Sequence, residues 1–230
     1  MLSKTVYLSV AFAALSISAQ AQGFTGGELT IDAAGFSEGD STSVNYSVAA
    51  EYSISRSISI AGTLGFYDYS LLSDTINSYT LHGIYHLNDA SSLGFFTGSE
   101  ELNGASSTFY GFEGGFESAG YEIEGYFALY DNADDTSVVG LSGSYAVTDQ
   151  ISAIGEVGFG DFSAGKVRSI SAGAEYQFIN GPSVYAEIGN VSTDVVDSGF
   201  IGLGASIQFG ADRGTTFNRR GVFETLNPGF

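Results

Sequence analysis

Val44-Asn45-Tyr46-Ser47-Val48-Ala49-Ala50-Glu51-Tyr52-Ser53-Ile54 is the stretch whose reading decides the fold. Val44, Tyr46, Val48, Ala50, Tyr52 and Ile54 fall on one face of an extended chain, and Asn45, Ser47, Ala49, Glu51 and Ser53 on the other. A period of two marks a β-strand with an apolar and a polar face. Such strands usually cover a hydrophobic core with their apolar sides. Across this chain the second faces are acidic, small and glycine-rich. That points to a barrel turned inside out, with apolar side chains outward and polar ones lining the lumen.

Working outward, the same alternation predicts twelve strands, at about 26–36, 42–54, 58–68, 78–87, 92–99, 106–117, 121–130, 136–147, 151–162, 167–178, 183–191 and 199–209. Most reach the ~9–11 residues that a tilted strand needs to cross a bilayer. The expected class is an all-β, transmembrane, antiparallel up-and-down barrel. Short turns are expected at 55–57, 88–91, 118–120, 148–150 and 179–182. Longer loops are expected at 37–41, 69–77, 100–105, 131–135, 163–166 and 192–198. Short periplasmic turns facing longer external loops would put both termini in the periplasm, which an even strand number allows. Glu51-Tyr52-Ser53-Ile54, Ile84-Tyr85-His86-Leu87, Ser144-Tyr145-Ala146-Val147 and Glu175-Tyr176-Gln177-Phe178 each precede a short turn, as one hairpin per repeat requires.

Composition narrows the class further. Residues 1–21 read as a secretory signal peptide: Lys4, an apolar run to residue 17, and Ala19-Gln20-Ala21 as an A-x-A cleavage site. The chain has no cysteine, which excludes a disulfide scaffold and thiolate metal sites. The formal net charge is −19, from 26 acidic and 7 basic residues, so nucleic acid is not a plausible partner. Disorder is excluded as well, because 43% of residues are hydrophobic and only two are proline. Aromatic residues gather at strand ends: Tyr52, Tyr85, Phe116, Tyr145, Tyr176 and Phe178 at one rim, and Phe66, Tyr79, Tyr110, Phe127 and Phe159 toward the other. Two such belts are expected where rings meet lipid headgroups.

Gly204-Ala205-Ser206-Ile207-Gln208-Phe209 resembles the terminal β-signal of Gram-negative outer-membrane barrels, an alternating strand ending in Phe. Residues 143–153 resemble porin hairpins. The resemblance implies a small, porin-like outer-membrane barrel spanning 22–209. It also implies insertion by the barrel insertion machinery, with Gly204, Ile207 and Phe209 carrying the signal. Two departures stand out. The chain is too short for a sixteen-strand general porin with a constricting third loop. In addition, residues 210–230 follow the last strand, and Arg213, Arg219 and Arg220 in that tail are half of the basic residues after the signal. The tail is expected to hang free in the periplasm. The alternative is that this basic segment enters the acidic lumen and partly plugs it.

The polar faces carry the chemistry. Glu28, Asp32, Glu51, Glu113, Glu122, Glu124, Glu156, Glu175 and Glu187, with His82 and His86, are the expected pore-lining residues. An inward excess of carboxylates concentrates cations and repels anions. Twelve strands ~4.8 Å apart enclose a barrel ~24 Å across, with room for a lumen of roughly 10 Å. His82 and His86 lie ~13 Å apart along a strand, so they are not a helical metal pair. Asp131-Asn132-Ala133-Asp134-Asp135 offers hard oxygen ligands but not a full EF-hand loop, and reads as a solvated acidic loop. No P-loop or HExxH motif occurs. The expected function is passive diffusion of ions and small hydrophilic solutes, without catalysis, cofactor or bound metal. The alternative is a non-conducting barrel for envelope integrity or surface attachment. Expected partners are outer-membrane lipid and the solutes themselves, with self-association left open.

Overall fold

The computed structural model describes residues 23–39, 41–72, 74–131, 136–163, 165–179, 181–210, 217 and 220–226. The signal sequence, most of the 131–135 loop, Arg213 and Arg219 lie outside these residues. Twelve strands form one closed antiparallel barrel. They are β1 (Gly23–Phe36), β2 (Thr42–Ser53), β3 (Ile58–Tyr69), β4 (Ile76–Asn88), β5 (Ser91–Leu102), β6 (Ala105–Ser118), β7 (Tyr121–Asp131), β8 (Ser137–Ala146), β9 (Ile151–Phe162), β10 (Gly165–Gln177), β11 (Ser183–Thr193) and β12 (Asp197–Gly210). Each strand pairs with its sequence neighbours, and β12 closes on β1 in a register running from Gly26↔Gly210 to Phe36↔Phe200. The expected class and strand number therefore hold. Closure leaves no strand edge with unpaired backbone groups.

The faces are inverted relative to a soluble barrel. In β2 the inward Ser43, Asn45, Ser47, Ala49, Glu51 and Ser53 are all buried, while Tyr46 and Tyr52 are 44% and 50% exposed. The same holds around the barrel, where Ile60, Leu81, Phe95, Phe112, Ile123, Leu141, Ile170, Ile188 and Leu203 are exposed. A continuous apolar exterior of this kind would be unstable in water and suits lipid. The belt residues Tyr52, Tyr85, Phe116, Tyr145, Tyr176 and Phe178 all face outward, as do Tyr79, Tyr110, Phe127 and Phe159 at the other rim. Among the described residues no helix is long and apolar enough to cross a membrane.

The connections depart from expectation. The predicted 100–105 loop shrinks to Asn103-Gly104, because β5 runs on to Leu102 and β6 begins at Ala105. Both turn residues have positive φ, 54° and 76°, the geometry of a two-residue hairpin turn that matches strand twist. The connection between β10 and β11 at the opposite rim is longer, spanning 178–182. Loop lengths therefore do not alternate cleanly. The rim where β1 starts and β12 finishes is the terminal rim, and the opposite one is the far rim.

Candidate lumen site

Beyond the strands, the described chain resumes inside the barrel. Phe217 is fully buried against Ala61 of β3 and Ile84 of β4. Arg220 follows, and then a single helical turn, α1 (Val222–Thr225), seated deeper toward the far rim. This corrects the expectation of a free tail for these residues. The physical reason is a match of charge and shape that the inward faces of β3–β9 provide.

Arg220 is the centre of that match. Its Nε donates to Glu113 Oε2 at 2.8 Å, and its Nη2 donates to Glu124 Oε1. The guanidinium carbon lies 4.7 Å from the centre of the Tyr126 ring, 5.7 Å from Phe217 and 5.9 Å from Phe96. Burial alone would lower the Arg220 pKa, but the carboxylates of Glu124 and Glu113 outweigh it, so the net direction is up and the charge is held. The planar fork suits two carboxylates and an aromatic face in a way that an ammonium would not.

The helical turn is fixed at both sides. Val222 N–H donates to Tyr130 Oη at 2.8 Å, Tyr130 Oη donates to Glu100 Oε2 at 2.7 Å, and Phe223 N–H reaches Glu100 Oε1 at 3.4 Å. Tyr67 Oη donates to Glu224 Oε2 at 3.1 Å, and Phe223 rests against Tyr67 and Tyr69. Two glycines of β9 leave the room. A Cβ at Gly158 would stand 2.6 Å from Thr225 O, and one at Gly160 would stand 2.5 Å from Leu226 Cδ1. Gly221 has φ +130°, and a Cβ there would strike Glu100.

The eleven expected pore-lining residues all face inward but divide into two groups. Glu28, Asp32, Glu122, Glu124, Glu156, Glu175 and Glu187 line a polar cavity of about 310 Å³, with Glu224 of the tail on its wall. Glu51, His82, His86 and Glu113 are instead packed into the wall beside the tail. His82 Nδ1 meets Glu113 Oε1 at 2.9 Å, and both side chains are fully buried. His86 contacts Ser59 Oγ at 2.9 Å and Ser92 Oγ at 2.8 Å, with Glu51 3.7 Å away. Thr25 Oγ1 also donates to Glu51, at 3.2 Å. These four do not face the cavity: Glu51, His86 and Glu113 find hydroxyl, imidazole or guanidinium partners in the wall, and His82 bonds through Nδ1, its buried Nε2 having no partner among the described residues.

Two residues escape the sequence reading. Glu100, expected in an external loop, is a buried inward residue of β5. Arg220, expected in a free tail, is the cation of the site. The terminal-strand residues sit as the alternation requires: Ile207 faces outward, Phe209 stacks on Phe24 with ring centres 5.9 Å apart, and Gly204 turns inward beneath Tyr185. Gly35-Phe36-Ser37-Glu38-Gly39 has the spacing of a nucleophile elbow. Here it leads from β1 toward β2, and Ser37 Oγ accepts from Gly199 N–H at 3.0 Å. The strand-to-helix turn that exposes a nucleophile is missing there. Among the described residues no group of His, Asp and Glu is placed to hold a metal ion.

No protein-family model matches the chain, and no curated protein does either. Solved structures do match. The barrel is similar to the KdgM porin, with TM-score 0.58 and 10% identity, covering 79% of this chain and 99% of that one. It is similar to the NanC porin, with TM-score 0.63 and 8% identity, covering 78% and 98%. It is also similar to the CymD monoaromatic hydrocarbon channel, with TM-score 0.52 and 11% identity, covering 84% and 89%. At these identities the likeness is one of fold: a small porin-like barrel.

Proposed function

We propose that this chain is an outer-membrane channel through which ions and small hydrophilic solutes diffuse passively, with cations favoured. The observation that carries the reading is the cavity left beside the seated tail, about 310 Å³ and lined by eight carboxylates, Glu224 included. Carboxylates fixed around a narrow aqueous path raise the local cation concentration and repel anions. The path needs no catalytic group, cofactor or resident metal. Ser142, Ser144, Ser169, Ser171 and Ser206 on the same wall supply short hydroxyls that replace part of an ion's hydration without filling the space.

The porin-like fold and the apolar exterior support a place in the outer membrane, after export under a cleaved signal. Gly204, Ile207 and Phe209 would present the final strand to the insertion machinery. The KdgM porin is also known in complex with disordered oligogalacturonate, a chain of carboxylate sugars. The acidic lining here favours solutes of the opposite sign. A second reading, a non-conducting structural barrel, draws on one observation: the β3–β8 side of the lumen is filled. The test is single-channel current of the refolded mature chain under a KCl gradient. Stable steps with a reversal potential toward that of K⁺ support the channel. A folded barrel without steps supports the structural reading.

A further inference from the structure

The contacts of Arg220 describe a recognition site as well as an anchor. Two carboxylates, of Glu113 and Glu124, take two edges of the guanidinium, and the ring of Tyr126 lies against its carbon at 4.7 Å. Glu113 is fixed from behind by His82, so its free oxygen is aimed rather than mobile. The site also has an approach. Arg220, Glu124 and Tyr126 line a side cavity of about 160 Å³, and Glu124, Ser142, Glu156, Glu224 and Thr225 line both it and the larger cavity. The acidic cavity and the cage thus share part of their wall.

We infer that the barrel wall holds a guanidinium-binding cage whose resident occupant is the chain's own Arg220, and that this occupancy keeps the C-terminal segment seated in the lumen. The ligand class is a small guanidinium compound. An ammonium matches the charge of the cage but lacks the planar fork and the flat face. The segment itself is shaped for seating: Gly158 and Gly160 clear the place of α1, and Gly221 passes where a side chain would strike Glu100.

The chain's lack of cysteine allows a clean reporter. Thr225 is 2% exposed, so Thr225→Cys in the full-length barrel should react slowly with a membrane-impermeant maleimide. Adding Arg220→Ala should raise the rate at least about tenfold, because the buried carboxylates lose their partner. Methylguanidinium at ~50 mM should restore slow labelling in that variant, while methylammonium at equal ionic strength should not. Glu124→Gln, which keeps the side chain's shape, should raise the rate less and weaken the rescue. Unchanged labelling in Arg220→Ala, or equal effects of the two cations, would overturn the inference. The inference uses the channel reading only for the route of approach, and labelling does not depend on current. A barrel that labels as expected but never conducts would sink the channel alone. A conducting barrel with unchanged labelling would sink the cage alone.

Discussion

Two parts of one lumen wall carry opposite chemistry: the stretches of β3–β8 that meet the tail, and the face made by β1 and β9–β12 together with Glu122, Glu124, Ser142 and Ser144 of β7 and β8. On the first side the inward positions hold Tyr67, Tyr69, Ile84, Phe96, Phe109, Tyr126, Tyr130 and Val138, and the tail packs against them. On the second side they hold Glu28, Asp32, Ser169, Ser171, Glu175, Glu187, Ser206 and Gln208, around open space. The outer surfaces of the two sides are alike. The difference teaches that lipid fixes only the outward half of each strand's pattern. Where the inward half is aromatic as well, the wall needs an apolar partner inside the barrel, and the C-terminal segment is that partner. Where the inward half is carboxylate and hydroxyl, it suits water and counter-ions, and a cavity of about 310 Å³ remains beside it.

The largest effect that would break this contrast is removal of its filler. Deleting residues 211–230 leaves β12 intact and should raise single-channel conductance at least about twofold, since Phe217, Arg220 and α1 no longer occupy the lumen. Unchanged conductance would mean that the seated segment does not limit the path. Gly158→Val acts on shape without touching charge. Its side chain would collide with Thr225 and Leu226, so the tail should be unseated, with faster proteolysis of the C-terminus and a smaller rise in current. Glu100→Ala removes the acceptor for Tyr130 Oη and Phe223 N–H. Leaving buried donors unpaired costs about 1–3 kcal/mol, so tail protection should weaken while the barrel's own melting stays put. At the small end, Asp161→Asn breaks the exposed pair with Lys166 at 3.6 Å, whose side chains are 61% and 63% accessible. Stability should change by less than about 0.5 kcal/mol, and thermal unfolding checks it.

Most of the barrel was legible from period-two alternation, because lipid and lumen impose it on every strand. The turn at Asn103-Gly104 was also legible in principle, since Asn-Gly is the preferred pair for a tight hairpin. Reading Glu100 and Glu101 as loop acids hid it, and with it the buried role of Glu100. The filled side had a signal too. Phe95-Phe96, Phe109-Tyr110, Tyr126-Phe127, Leu129-Tyr130 and Val138-Val139 put apolar groups on both faces of adjacent strands, the pattern of strands buried on both sides. The occupant was legible only as an alternative: the basic tail suited an acidic lumen by charge, but nothing in the sequence marked where it would seat. Arg220 meets carboxylates 96 and 107 residues earlier, Phe217 meets strands farther back still, and no local period records that. Seven of the eleven acidic and histidine positions could be assigned to the open cavity only once that occupant was in place.

The most direct measurement compares the two sides by charge. Reversal potentials are recorded in a KCl gradient for the intact chain, for Glu156→Gln/Glu175→Gln/Glu187→Gln on the open side, and for Glu113→Gln on the filled side. The account predicts a marked loss of cation preference in the triple variant and almost none in Glu113→Gln, whose carboxylate is already engaged by His82 and Arg220. Equal shifts in both, or a larger one from Glu113→Gln, would contradict the claim that current follows the carboxylate-lined side.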